Sequence, residues 1–226
     1  MRPIVVTGFE AYGGRAINPA HEIMRAIDGK TVEGAKVFGR SLPVSFDSLK
    51  SQIAHILDEI RPSAVISVGL WPGEPIIRLE RIGINVADFE IADNEGSILK
   101  DVPVSANGAS ARFATLPLRN IEEALLKAGI PARVSATAGT FLCNACLYSF
   151  LEAAEVRSPP FVCGFIHVPY MHEQVAQMLL RIRSEGRRTP DQCIDLPSMA
   201  LSTSLRAIEI AITETMIHER ARVGRN

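Results

Sequence analysis

Ser135-Ala136-Thr137-Ala138-Gly139-Thr140-Phe141-Leu142-Cys143-Asn144 joins two kinds of periodicity. A short strand around Ala132 to Ala136 ends here, the small-residue turn Ala138-Gly139-Thr140 follows, and a helix starts with the Cys143 thiol in its first turn. The apolar run Phe161 to Val168 downstream is too short for a helix of its own and reads as a buried strand. Strand, helix and strand in succession predict an α/β arrangement around this turn.

The same alternation continues toward the N-terminus. Ile4-Val5-Val6-Thr7 predicts a strand, followed by the glycine-containing loop Gly8 to Gly14. Asn18-Pro19 is an N-cap residue with proline at the first helical position. Phe46, Leu49, Ile53, Ile56, Leu57 and Ile60 recur at helical spacing behind Ser45, a second cap. Ala64 to Leu70 has the composition of a buried strand, and Ile76 to Val86 is expected to form one more. Asn120, with Glu123 three positions on, predicts a cap before a helix over Ile121 to Leu126. Val175, Met178, Leu179 and Ile182 mark a later helix; Leu201, Leu205, Ile208, Ile212 and Met216 mark a long final one. The expected fold is a three-layer α/β/α sandwich, a single domain over residues 1–226 with a largely parallel, twisted central sheet. Pro159-Pro160 and Thr189-Pro190 read as turns inside it, not as linkers.

Composition narrows the function. A chain of 226 residues with 47% apolar content can bury a sizeable core, and no run approaches the roughly 20 apolar residues of a membrane span. The start is too short in apolar residues for a secretory signal, so a cytoplasmic location is expected, with no membrane partner. A net charge of −1 gives no footing for nucleic acid; the basic run Arg181, Arg183, Arg187, Arg188, interrupted by Glu185, reads as a solvated helix end. The four cysteines, Cys143, Cys146, Cys163 and Cys193, are too few and too clustered for a disulfide framework.

Three residues carry candidate chemistry. At a helix start, unpaired N–H groups and the positive end of the dipole would favour a Cys143 thiolate. His167 ends an apolar strand, where it either satisfies a buried hydrogen bond or serves a site. Glu80, in Leu79-Glu80-Arg81-Ile82-Gly83-Ile84-Asn85, must be exposed, paired with Arg78 or Arg81, or functional. Together they supply a nucleophile, a base and an orienting carboxylate. Cys143-Asn144-Ala145-Cys146 is also a Cys-x-x-Cys, which keeps a thiol–disulfide oxidoreductase as an alternative. The other cysteines and histidines lack zinc-ligand spacing, and the Gly8 to Gly14 loop lacks a phosphate-binding order of glycines.

Four segments in order resemble one family. Val6-Thr7-Gly8-Phe9-Glu10-Ala11-Tyr12-Gly13-Gly14 with Asn18-Pro19, the Glu80 segment, Ala138 to Asn144, and Phe165-Ile166-His167-Val168-Pro169-Tyr170 are similar to those of the pyroglutamyl peptidase I family of cysteine peptidases. The resemblance implies removal of N-terminal pyroglutamate from peptides, with Cys143, His167 and Glu80 as the catalytic triad. It implies Phe9, Tyr12, Phe141, Leu70 and Ile91 at the substrate, a homotetramer, and neither metal nor organic cofactor. The chain departs from the family pattern at Leu70, a usual glutamine, at Glu90, where an arginine is frequent, and at Tyr12, a usual phenylalanine. Leu70 and Glu90 keep a second alternative open, a catalytically weakened relative that binds a small amide.

Overall fold

Ile4–Phe9 forms β1, buried along its whole length as a central parallel strand must be. The computed structural model describes residues 2–184 and 196–223; Cys193, Glu185, Arg187, Arg188 and Thr189-Pro190 lie outside the described residues. Asn18 caps α1 (Pro19–Ile27) as expected, its side chain accepting from the Ala20 N–H at 3.1 Å. An edge strand β2 (Thr31–Val32) and then β3 (Ala35–Leu42) follow. Neither is among the expected elements: β3 alternates buried Ala35 and Val37 with exposed Lys36, and Gly39 and Arg40 interrupt its apolar pattern. α2 (Phe46–Ile60) starts behind Ser45, whose hydroxyl accepts from the Ser48 N–H at 3.2 Å. β4 spans Ala64–Leu70.

The single strand expected over Ile76 to Val86 is two. β5 (Ile77–Glu80) lies in the main sheet, while β6 (Ile82–Ile84) leaves it to pair antiparallel with β7 (Ala111–Phe113). The break falls at Arg81, whose N–H donates to the Ser135 carbonyl at 2.9 Å and whose carbonyl accepts from the Ala114 N–H at 2.8 Å. The Asn120 cap is also corrected. α3 (Leu118–Lys127) begins behind Pro117 because Leu118 is needed in the core, and Glu123 pairs with Lys127 at 2.7 Å instead of capping. The remaining elements are β8 (Ala132–Ser135), α4 (Leu142–Val156), β9 (Val162–Val168), β10 (Tyr170–Met171), α5 (His172–Ser184), β11 (Ser198–Met199) and α6 (Leu201–Val223). Leu179, expected on the buried face of α5, is exposed, while Val175 is buried.

Among the described residues the main sheet has seven strands in the order β2-β3-β1-β4-β9-β5-β8. β3, β1, β4 and β9 are parallel neighbours, β2 is an antiparallel edge, and β5 runs antiparallel to β9 but parallel to β8. Ile23 and Ile27 of α1, Ile121 and Leu125 of α3, and Ile208 and Ile212 of α6 pack on one face. Ile53 and Leu57 of α2 with Leu147 and Phe150 of α4 cover the other. The three-layer architecture is the expected one, with a mixed sheet that is mostly parallel. No described helix is long and apolar enough to cross a membrane.

The reversed β5 brings charged side chains to the imidazole. Its pairing sets Arg78 opposite His167 and Glu80 opposite Phe165, while β4 sets Gly69 opposite His167. Residues far apart in sequence thus meet near the carboxyl ends of β4 and β9, where α/β sheets place their sites.

Candidate active site

α4 begins without a side-chain cap: Phe141, in the cap position, makes no such bond. The N–H groups of Asn144 and Ala145 both reach the Phe141 carbonyl, at 3.1 and 3.2 Å. Those of Leu142 and Cys143 belong to the first turn, where no earlier helical carbonyl can receive them. The turn before them uses Gly139 at φ 76°, a left-handed conformation that glycine adopts without strain. Asn144 is fully buried and ties the helix start down. Its Oδ1 accepts from the Ile84 N–H, and its Nδ2 donates to the carbonyls of Ile84 and Val86, all at 2.9 Å.

Gly69 keeps open the space between the Phe165 ring and the Cys143 thiol. A Cβ on Gly69 would sit 2.7 Å from two ring carbons of Phe165 and 3.0 Å from Cys143 Sγ. His167 is the register partner of Gly69 and shares its sheet face with Phe165, two residues away. The imidazole is buried between the Phe165 ring, at 4.7 Å between centroids, and the edge-on Trp71 ring, at 4.9 Å. Its Nδ1 lies 2.8 Å from Glu80 Oε1, so Nε2 is left for the thiol side.

Arg78 holds that carboxylate. Its Nε donates to Glu80 Oε1 at 3.0 Å, Nη1 to Glu74 Oε2 at 3.1 Å, and Nη2 to Ser135 Oγ at 2.7 Å and the Thr137 carbonyl at 2.8 Å. The guanidinium carbon lies 3.8 Å from the centroid of Trp71, the same ring that flanks His167. Arg133 adds a second cation to Glu74 at 3.1 Å. One ion-pair network therefore connects the Glu80 carboxylate beside His167 with Thr137, in the turn before Cys143.

Electrostatics modify the sequence expectation for the thiol. Burial, with the fields of Cys146 and Glu80, pushes the Cys143 thiol up, against a smaller opposing effect of its own backbone N–H. Desolvation thus works against the thiolate that the helix start would favour. Burial also pulls His167 below the ordinary histidine value, opposed by its hydrogen bond to Glu80. Cys143 and His167 line the same recess, and the direction of both shifts favours the uncharged forms of the thiol and the imidazole.

Two connected recesses open beside the thiol. A narrow one, of only about 10 Å³, is lined by Phe9, Tyr12, Leu70 and Phe141, with Asn18 and Val44 also on its walls. A wider one of about 330 Å³ reaches from Cys143 and His167 past Trp71 to Glu90 and Ile91 at the surface. Phe141 links them, its ring 6.0 Å from Tyr12 and 4.6 Å from Phe89.

A model of the family described as pyroglutamyl peptidase matches residues 2–219. The chain belongs to the pyroglutamyl peptidase family. Pyrrolidone-carboxylate peptidase of Pyrococcus furiosus is 39% identical over 213 residues, covering 94% of this chain and 99% of that protein. The Bacillus cereus protein of the same name is 37% identical over 219 residues, covering 97% of this chain and 95% of its own length. The crystal structure of the Pyrococcus furiosus enzyme superimposes with a TM-score of 0.87 at 38% identity, covering 96% of this chain and 99% of that one.

As a cysteine-type pyroglutamyl peptidase, the chain brings every residue singled out from sequence to one place. Glu80 contacts His167, Cys143 lies across Gly69 from it, and Phe9, Tyr12, Leu70, Phe141 and Ile91 line the two recesses. Ile91 stands at the rim, 46% exposed. Sequence reasoning did not give Trp71, Glu74 or Ser135 a part, nor Arg78 more than a partnership with Glu80. Trp71 is the chain's one tryptophan and directly follows a buried strand, which is the signal that could have found it. The Cys-x-x-Cys reading finds no support. Cys146 is fully buried against Ser67 at 3.5 Å, out of reach of an external thiol or disulfide. The described cysteines, Cys143, Cys146 and Cys163, are all free thiols. Among the described residues no three His, Cys, Asp or Glu side chains gather as a metal site.

Proposed function

We propose that the chain removes an N-terminal pyroglutamyl residue from peptides, with Cys143 as nucleophile, His167 as general base and acid, and Glu80 as its orienting carboxylate. The observation that carries this reading is the buried 2.8 Å contact between His167 and Glu80, beside a recess that His167 lines together with a thiol on an uncapped helix start. Glu80 holds the proton on Nδ1, which leaves the Nε2 lone pair for the thiol proton. As that proton moves, sulfur attacks the pyroglutamyl carbonyl, and the resulting oxyanion faces the N–H groups at the start of α4. His167 returns the proton to the departing amine as the C–N bond breaks, leaving a thioester. Water then attacks, giving its proton to His167; the C–S bond breaks and the thiol is reprotonated.

The recess suits the acyl group. Pyroglutamate is a flat, neutral lactam with no α-ammonium, and the slot walls are mostly carbon, with no carboxylate to receive a cation. A prolyl amide would have to strip its charged nitrogen of water without a partner, so it should be a poor substrate. From the family resemblance we also infer a homotetramer in the cytoplasm, which light scattering and cell fractionation test.

Release of a reporter amine from a pyroglutamyl amide tests the reading. Cys143→Ser should abolish release, while Cys146→Ser retains most of it. Equal loss in both variants would return the redox pair to consideration, and comparable turnover of the prolyl amide would sink the lactam pocket.

A further inference from the structure

Every nitrogen of the Arg78 guanidinium is engaged, with the Glu80 and Glu74 carboxylates, Ser135 and the Thr137 carbonyl. Those bonds leave its flat face, which is weakly hydrated and suits an aromatic ring. Trp71 covers that face, with the guanidinium carbon 3.8 Å from its centroid. The same ring stands nearly perpendicular to the His167 imidazole, at 85° and 4.9 Å between centroids. Its outer edge reaches the turn before Cys143, since a Cβ on Gly139 would lie 3.6 Å from Trp71 Cη2. The root of the side chain is fixed as well. The Trp71 N–H donates to the Val168 carbonyl at 3.0 Å, extending the pairing of β4 with the strand that carries His167. Its carbonyl accepts from the Glu74 N–H at 3.2 Å.

The two rings beside the imidazole are not equivalent. Phe165 is fully buried within β9, whereas Trp71 is half-buried and lines the wider recess. Resting on the pyroglutamyl reading, we propose that Trp71 is a positioning residue of the reaction. Its ring holds the imidazole of His167 and covers Arg78, so that water in the recess is kept from the contacts Glu80 makes with both. The charged and titratable groups around the imidazole are Glu80 and Arg78 of β5 and Glu74 ahead of it. Cys143, Tyr12, Asp88 and Glu90 stand on the walls of the same recess. Trp71 adds no charge to these groups. It acts through burial, the main cause that pulls His167 below the ordinary histidine value.

Trp71→Ala opens the imidazole to the recess. With a pyroglutamyl amide, kcat should fall about 10- to 100-fold while KM moves by less than about threefold. The acid limb of kcat/KM should shift upward, toward the unburied histidine value of about 6.5. Trp71→Phe keeps a ring over Arg78 and beside His167, so it should recover most of the rate and bring the limb back down. An acid limb that stays in place in Trp71→Ala overturns the proposal whatever the rate does, because Trp71 would then be packing or a substrate wall. An unchanged kcat overturns it too. Trp71 is the chain's one tryptophan, so its emission reads the same contact without turnover. A protonated imidazole quenches a neighbouring indole, so emission of the unmutated protein should fall on acidification with the midpoint of the acid limb. His167→Gln should lose that step. Emission that keeps the step in His167→Gln, or shows none in the unmutated protein, overturns the contact on which the proposal stands. Inactivity of the unmutated protein toward pyroglutamyl amides would instead overturn the functional reading, while the emission titration still shows whether indole and imidazole meet.

Discussion

Glu80 receives two hydrogen bonds on the same oxygen, from His167 at 2.8 Å and from Arg78 at 3.0 Å, while its Oε2 is buried without a partner. Glu80→Gln keeps the shape but presents an amide to Nδ1, so the imidazole loses its fixed tautomer. Turnover should drop by about 10²- to 10⁴-fold with little change in unfolding, and an unchanged rate would reduce Glu80 to an ion-pair partner. Arg78 acts one step further out. Arg78→Met leaves the buried Glu80 carboxylate without its cation and Glu74 with Arg133 alone, which should cost about 3–5 kcal/mol in a urea unfolding series. Arg78→Lys keeps the charge but cannot reproduce the fork, so it should regain only part of that loss. Activity against pH tests His167 directly. In the proposed role its neutral form accepts the thiol proton, and burial lowers its pKa, so the acid limb of kcat/KM should have its midpoint below the ordinary value of about 6.5. A midpoint above that value would contradict the burial argument.

At the scale of elements, the site depends on how closely β4, β9 and α4 approach. Gly69→Ala would force a methyl to 2.7 Å from the Phe165 ring and 3.0 Å from the thiol, so either the ring or the nucleophile must move. Such a displacement should lower kcat/KM on the order of 10²-fold, measurable with the same amide assay; near-normal activity would mean that the thiol has freedom this packing denies it. Much of this was legible in the sequence. The caps at Asn18 and Ser45, the buried runs at Ile4 and Ala64, and the turn before Cys143 are local signals, and local chemistry decides them. The elements that escaped are those decided by distant partners. Ala35–Leu42 becomes a strand because β1 pairs with it, despite Gly39 and Arg40. The run from Ile76 divides at Arg81 because Ser135 and Ala114 bind its backbone, and neither is nearby in sequence.

For the molecule as a whole, the least legible fact is the direction of β5, since no pattern within Ile77–Glu80 says which way it runs. Yet that reversal sets Arg78 opposite His167 and brings Glu80 to the imidazole 87 residues away. The motif resemblance could name Glu80 and His167; only the assembled sheet makes them neighbours. A buried histidine placed by the global fold ties stability to pH, and the sign comes from linkage. The folded His167 has a lowered pKa, so between that value and the unfolded value of about 6.5 the unfolded chain binds more protons. Unfolding free energy should therefore rise with pH through this window. On acidification it should fall as the pH passes about 6.5 and level off below the folded pKa. Urea unfolding at about pH 8 and about pH 5.5 should show the unmutated protein weakening on acidification more than His167→Gln does. If both proteins lose the same stability, the acid sensitivity comes from another group, and His167 is not held neutral by the fold.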